Sequence, residues 1–133
     1  MTEPTSDRVH ERHFTLEEAN ALLPRLKPLL RQLRDAKDDL TDSEAHELLA
    51  DSAPANGGGE SGRQVGVAFL EVRRLLGALE ESGIVLKDID RGLVDFPALI
   101  EGREVYLCWE LGEDEVGFWH EISSGYRGRQ PLD

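Results

Sequence analysis

At Gly83 the hydrophobic period of this chain changes, and no other feature restricts its fold as much. Before Gly83 apolar residues recur every three or four positions, and after it they alternate. A period near 3.6 marks a helix that buries one stripe, and a period of two marks a strand that buries one face. Helices followed by strands point to the α+β class.

The first stripe runs Leu16, Ala19, Leu23, Leu26, Leu30, Leu33 and Leu40, with Lys37 in the one missed slot. It predicts a helix over residues 14–40. Thr15-Leu-Glu-Glu18 opens it as a capping box, in which hydroxyl and carboxylate each accept from the other residue's backbone N–H. Pro24 and Pro28 lie inside the pattern and predict a kink rather than a break, because the stripe stays in phase through both. A second stripe, Val65, Phe69, Val72, Leu76 and Leu79, predicts a helix over 64–82, with Gly83 as its C-terminal cap. Between them, residues 41–62 are acidic and contain Asn56-Gly57-Gly58-Gly59, which reads as a flexible link. Two striped helices with such a link fold most simply as an antiparallel hairpin.

Strands are expected near 93–99, 103–111 and 115–122, so that the region 93–122 forms a meander of three. A tight turn at Glu101-Gly102 pairs Leu99 with Glu104, Phe96 with Leu107 and Val94 with Trp109. A second turn over 112–115 would pair Leu111 with Val116, Trp109 with Phe118 and Leu107 with His120. Both turns then give one apolar face, on which His120 sits. Residues 1–12 read as a frayed tail and 123–133 as an irregular one. The expected fold is a long antiparallel helical hairpin packed on a three-stranded antiparallel meander.

A chain of 133 residues is expected to form a single domain. Fifteen basic residues against 27 acidic give a net charge of −12. Phosphate is repelled, so nucleic acid and anionic membrane surfaces are not expected partners. The one cysteine, Cys108, cannot form an internal disulfide and fits a reducing compartment. No apolar run approaches a membrane span, and residues 1–13 have no signal-peptide core. A cytoplasmic location is therefore expected.

Five ordered blocks stand out: Phe14-Thr-Leu-Glu-Glu-Ala-Asn20; Lys87-Asp88 with Gly92-Leu-Val-Asp-Phe-Pro-Ala98; Arg103-Glu-Val-Tyr-Leu-Cys-Trp109; Trp119-His120; and Gly128-Arg-Gln-Pro-Leu132. In these the chain resembles a bacterial family known only as domain of unknown function 2203, from about Phe14 to Leu132 without the Gly-rich link. The resemblance implies a small bacterial protein and no particular activity. Asp88, Asp95, Trp109, His120, Arg129 and Gln130 are the matching motif positions, and the resemblance gives none of them a role.

His120 is the most informative single residue. Burial favours its neutral ring, which can bind a metal or relay a proton. The plainer alternative is a core-edge histidine with both nitrogens hydrogen-bonded. A metal site would need further ligands on the same face, with His13, Glu17, Glu18 and Asp88 the nearest guesses. The opposite sheet face would carry Asp95, Tyr106, Cys108, Glu110, Trp119 and Glu121, either as a ligand site or as the solvated side that alternation predicts. Cys108 would then lie away from His120, so no nucleophile pair is expected. Arg129, with Arg127 and Gln130, forms the local positive cluster that could clamp an anion. The candidate ligand-binding residues are thus His120, Asp88, Asp95, Glu110 and Arg129. No phosphate loop, zinc-protease motif or nucleophile elbow is present, and catalysis, metal and cofactor stay unassigned.

Two readings of function stand at this point. The first is a non-enzymatic interaction module. A helix of about 25 residues spans roughly 37 Å, whereas three strands span about 10 Å centre to centre. Surplus stripe at Leu22, Leu29 and Leu75 would then be covered by a second copy or a protein partner. The alternative is a small-ligand or metal-binding protein, with or without enzymatic activity, centred on His120.

Overall fold

The computed structural model describes residues 8–50 and 60–132. Two helices, α1 (Leu16–Ala50) and α2 (Glu60–Ser82), precede five strands: β1 (Val85–Asp88), β2 (Leu93–Ile100), β3 (Arg103–Glu110), β4 (Phe118–Glu121) and β5 (Gln130–Pro131). The strands form one antiparallel sheet in the order β1-β2-β3-β4-β5. The class is α+β, as the change of period requires. The sheet has five strands rather than three, because β1 and β5 are too short to show alternation. Within the described residues no helix is long and apolar enough to cross a membrane.

The capping box forms as expected. Glu18 N–H donates to Thr15 Oγ1 at 3.0 Å, and Thr15 N–H donates to Glu18 Oε1 at 2.9 Å. From there α1 continues through Pro24 and Pro28 without interruption. It runs to Ala50, and α2 begins at Glu60. Residues 41–50 and 60–62 are therefore helical rather than link, and the Asn56–Gly59 stretch lies outside the described residues. Ala19, Leu23, Leu26, Leu30 and Leu33 are buried, so the α1 stripe holds from Ala19 to Leu33, whereas Leu16 at its start is 41% exposed. The α2 stripe is rotated from its expected setting. Ala68, Leu75 and Leu79 are buried, while Phe69 and Leu76 are exposed. Leu22 and Leu29 are partly buried against the core. Five strands span about 19 Å centre to centre, and the residues expected to be surplus are used within the chain.

Glu101 and Gly102 have φ of 53° and 79°, the positive pair that a two-residue type I′ hairpin turn needs. That turn sets the β2–β3 register as expected, with Leu99 opposite Glu104, Phe96 opposite Leu107 and Val94 opposite Trp109. The β3–β4 register is one residue away from expectation. Phe118 pairs with Cys108, Trp119 with Leu107 and His120 with Tyr106. The connecting segment supplies the reason. Glu113 Oε1 accepts from Glu110 N–H at 3.0 Å, and its carbonyl accepts from the Trp109 indole N–H at 3.1 Å. These bonds occupy the end of β3, so pairing starts further along. Val116 reaches the core from this loop, where its N–H donates to Asn20 Oδ1 at 2.7 Å. The shift turns Trp119 towards the core and His120 away from it. An indole offers about 150–250 Å² of largely apolar surface, so packing Trp119, partly buried, against the core favours this register.

The two ends of the chain cover the outer face of the sheet. Of the expected frayed tail, residues 8–12 are held against the sheet, and residues 1–7 lie outside the described residues. Glu104 accepts from Val9 N–H at 2.8 Å and His10 N–H at 2.9 Å, and its Oε2 lies 2.8 Å from His13 Nε2. Phe14 then donates its N–H to the Pro97 carbonyl at 2.7 Å and packs edge-on against Phe96. At the other end, a 3-10 turn at Tyr126–Gly128 and β5 bring Arg129 over Phe118 and Tyr126. The expected irregular tail is thus partly ordered.

Candidate metal centre

The register shift brings together side chains that the expected register kept apart. Asp95 of β2 is paired with Cys108 of β3, and His120 of β4 pairs with the nearby Tyr106. Their side chains share the outer face. One ligand atom from each of Asp95, Cys108 and His120 lies within 4.8 Å of the other two. Asp95, Cys108 and His120 are each 1% exposed, so this face is a second buried layer rather than the solvated side that alternation implied.

His120 is held at both nitrogens. Nδ1 lies 2.7 Å from the Glu121 carbonyl oxygen and Nε2 lies 2.9 Å from Asp95 Oδ2. A carbonyl only accepts, so Nδ1 is the donor and carries the proton. Nε2 is thereby directed at Asp95. This second-sphere arrangement commonly orients a metal-binding imidazole. Asp95 Oδ1 is buried and has no hydrogen-bond partner among the described residues. An orphaned buried carboxylate oxygen is costly and calls for an explanation. Burial pushes the Asp95 carboxyl above its usual pKa, against the pull of His120, Lys87 and the neighbouring Cys108 thiol. Burial likewise pushes the Cys108 thiol up to about 11, although Arg129 opposes it. At that value the thiol is protonated at neutral pH.

Two cations flank the cluster. Lys87 Nζ lies 3.9 Å from Asp95 Oδ2 and 5.0 Å from the centre of the Tyr106 ring. Arg129 directs Nη1 towards Cys108 Sγ at 3.8 Å and donates Nη2 to Glu113 Oε2 at 2.7 Å. The Tyr106 hydroxyl lies 2.6 Å from His10 Nε2, so the N-terminal strap closes over this end. A groove of about 750 Å³ runs between α2 and β1, lined by Arg73, Leu76, Gly77 and Ile84 among others, but none of the three cluster residues lines it.

Of the expected site residues, His120 and Asp95 meet directly, and Arg129 stands beside them. Glu110 lies further along the same face. There it accepts from Arg91 Nε at 2.7 Å and from the Tyr126 hydroxyl at 3.2 Å. Asp88 accepts from Arg91 N–H at 3.1 Å, closing a turn, and is not part of the cluster. His13 pairs with Glu104, and Glu18 belongs to the cap of α1. Trp119 is not on this face. Cys108, discounted while His120 was expected on the other side, is a full member. The β2–β3 pairing of Asp95 with Cys108 was the one signal in the sequence that could have found it.

Fold and cluster together define a small α+β protein with a buried Asp–Cys–His centre on the far side of its sheet. The chain belongs to the family described as Uncharacterized conserved protein (DUF2203), whose model matches residues 12–132. No curated protein and no solved structure matches it.

Proposed function

We propose that the protein binds one transition-metal ion, zinc by preference, through Asp95, Cys108 and His120. The observation that carries this reading is the convergence of a buried carboxylate, a buried thiol and an oriented buried imidazole, with one ligand atom of each within 4.8 Å of the others. Zinc bonds of about 2.0–2.3 Å place tetrahedral ligands roughly 3.3–3.8 Å apart. The three side chains are within reach of that spacing after small rotations. Thiolate with imidazole selects zinc over magnesium or calcium, which take oxygen sets. One carboxylate and one thiolate neutralise a divalent ion, so the burial that disfavours either anion alone would favour the set. A thiol ligand also suits the reducing, cytoplasmic setting expected from a single cysteine.

Equilibrium dialysis of chelator-treated protein against zinc should give one ion per chain. Asp95→Ala, Cys108→Ser and His120→Ala should each abolish stoichiometric binding. Zinc at a hundred times its Kd should stabilise the wild type by about 2.7 kcal/mol. A folded wild type that takes up no zinc and gains no stability from it would remove this reading.

A second reading has its own observation. On α2, Val67, Phe69 and Leu70 are 69%, 50% and 61% exposed. Apolar side chains grouped on one helix suit an interaction module. In this reading α1 and α2 form an antiparallel hairpin, and a second copy of the chain covers α2. Light scattering should then show a dimer at micromolar concentration, and Leu70→Asp should return it to a monomer. A wild-type monomer at every concentration would dismiss the homodimer.

A further inference from the structure

Lys87 sets a part-exposed ammonium beside the buried cluster, and that charge bears on what the cluster can hold. The argument rests on the metal-binding reading above. Among the described residues the cluster offers three ligands, whereas zinc sites are almost always four-coordinate. Tyr106 packs against the His120 ring, but its hydroxyl is engaged by His10. Arg129 is paired with Glu113 and faces the sulfur, so it belongs to the thiolate.

Lys87 is different. Its side chain is 40% exposed, and its only carboxylate within 4.0 Å among the described residues is Asp95. Asp95 is also a proposed metal ligand. Once a divalent ion takes up that carboxylate's charge, the ammonium is left uncompensated beside the site. A small anion on the metal would restore the balance and lie within reach of Nζ. We infer that the metal keeps its fourth position for an exogenous small anion, such as a carboxylate, held between the ion and the Lys87 ammonium.

The test uses cobalt(II) in place of zinc, with azide and acetate as probes. Cobalt-loaded wild type should show a thiolate-to-cobalt charge-transfer band, and its ligand-field bands should shift saturably as either anion is added. Lys87→Ala should keep the cobalt stoichiometry and the charge-transfer band while weakening anion binding about tenfold, the effect of losing one adjacent charge. Lys87→Arg should retain most of the affinity. If cobalt loads with its thiolate band but neither anion changes the ligand-field spectrum, the open position is refuted and the metal site stands. Equal anion affinity in Lys87→Ala and wild type would likewise overturn the role of Lys87. Failure of the folded protein to load cobalt at all would overturn both readings together.

Discussion

Glu104→Gln should release the N-terminal strap. Glu104 is nearly buried, and its two oxygens meet three groups: the N–H of Val9, the N–H of His10 and the His13 ring. Hydrogen bonds to an ionised group contribute about 1.5–3 kcal/mol each. Glutamine is isosteric but keeps a single acceptor oxygen, so at least one backbone donor would face an NH₂ group. The freed strap regains chain entropy of about 1–2 kcal/mol per residue, which offsets part of the loss. The expected net destabilisation is about 2–4 kcal/mol, read by urea denaturation of metal-free protein at pH 7. Hydrogen exchange should show Val9 and His10 amides losing protection, with the β2–β3 amides less affected. Burial alone would raise the Glu104 pKa, but the bonds from Val9, His13 and His10 outweigh it and the net shift is downward. A carboxylate depressed in the folded state contributes stability above its unfolded pKa, near 4.3, and loses it as pH falls through the folded value. The difference between wild type and Glu104→Gln should therefore be full at pH 7 and shrink below about pH 4.3. A variant within 0.5 kcal/mol or so of wild type, with Val9 and His10 still protected, would show that the strap is held by Phe14 and not by Glu104.

Three further outcomes are expected. Gly92 has φ +64°, and a Cβ there would lie 2.5 Å from Leu111 Cγ and Cδ1. Gly92→Ala should lose about 2–4 kcal/mol in denaturant unfolding, combining left-handed strain with overpacking, and a loss under half of that would mean the Leu111 side chain swings clear. Cys108, buried and with its thiol raised to about 11, should resist iodoacetamide in native metal-free protein at pH 8 and react on unfolding; rapid native labelling would expose the site as open. Lys37 bonds Asp90 at 2.8 Å with both side chains exposed, so Lys37→Ala should leave the urea midpoint unchanged, since such pairs contribute little.

Much of the fold could be read from residues whose neighbours in sequence decide their geometry. The capping box of α1, its buried stripe from Ala19 to Leu33, the turn at Glu101-Gly102 and the whole β2–β3 register all follow from contacts a few residues apart, or from a two-residue turn that permits one register. The rotation of α2 could not be read, because Phe69 and Leu75 are equally apolar and only the packing against α1 and the sheet determines which is covered. The candidate centre was half legible. Asp95 opposite Cys108 came with the tight turn. His120 did not, because its position depends on a longer loop whose own hydrogen bonds, from Glu113 and from Asn20 across the molecule, set where β4 begins. In an alternating strand a slip of one residue moves every side chain to the other face. Local pattern thus determined the α+β class, the central hairpin and most of the core. The tertiary structure decided that His120 turns away from that core and meets Asp95 and Cys108, because the loop that chooses between the two registers is held partly by Asn20, distant in sequence.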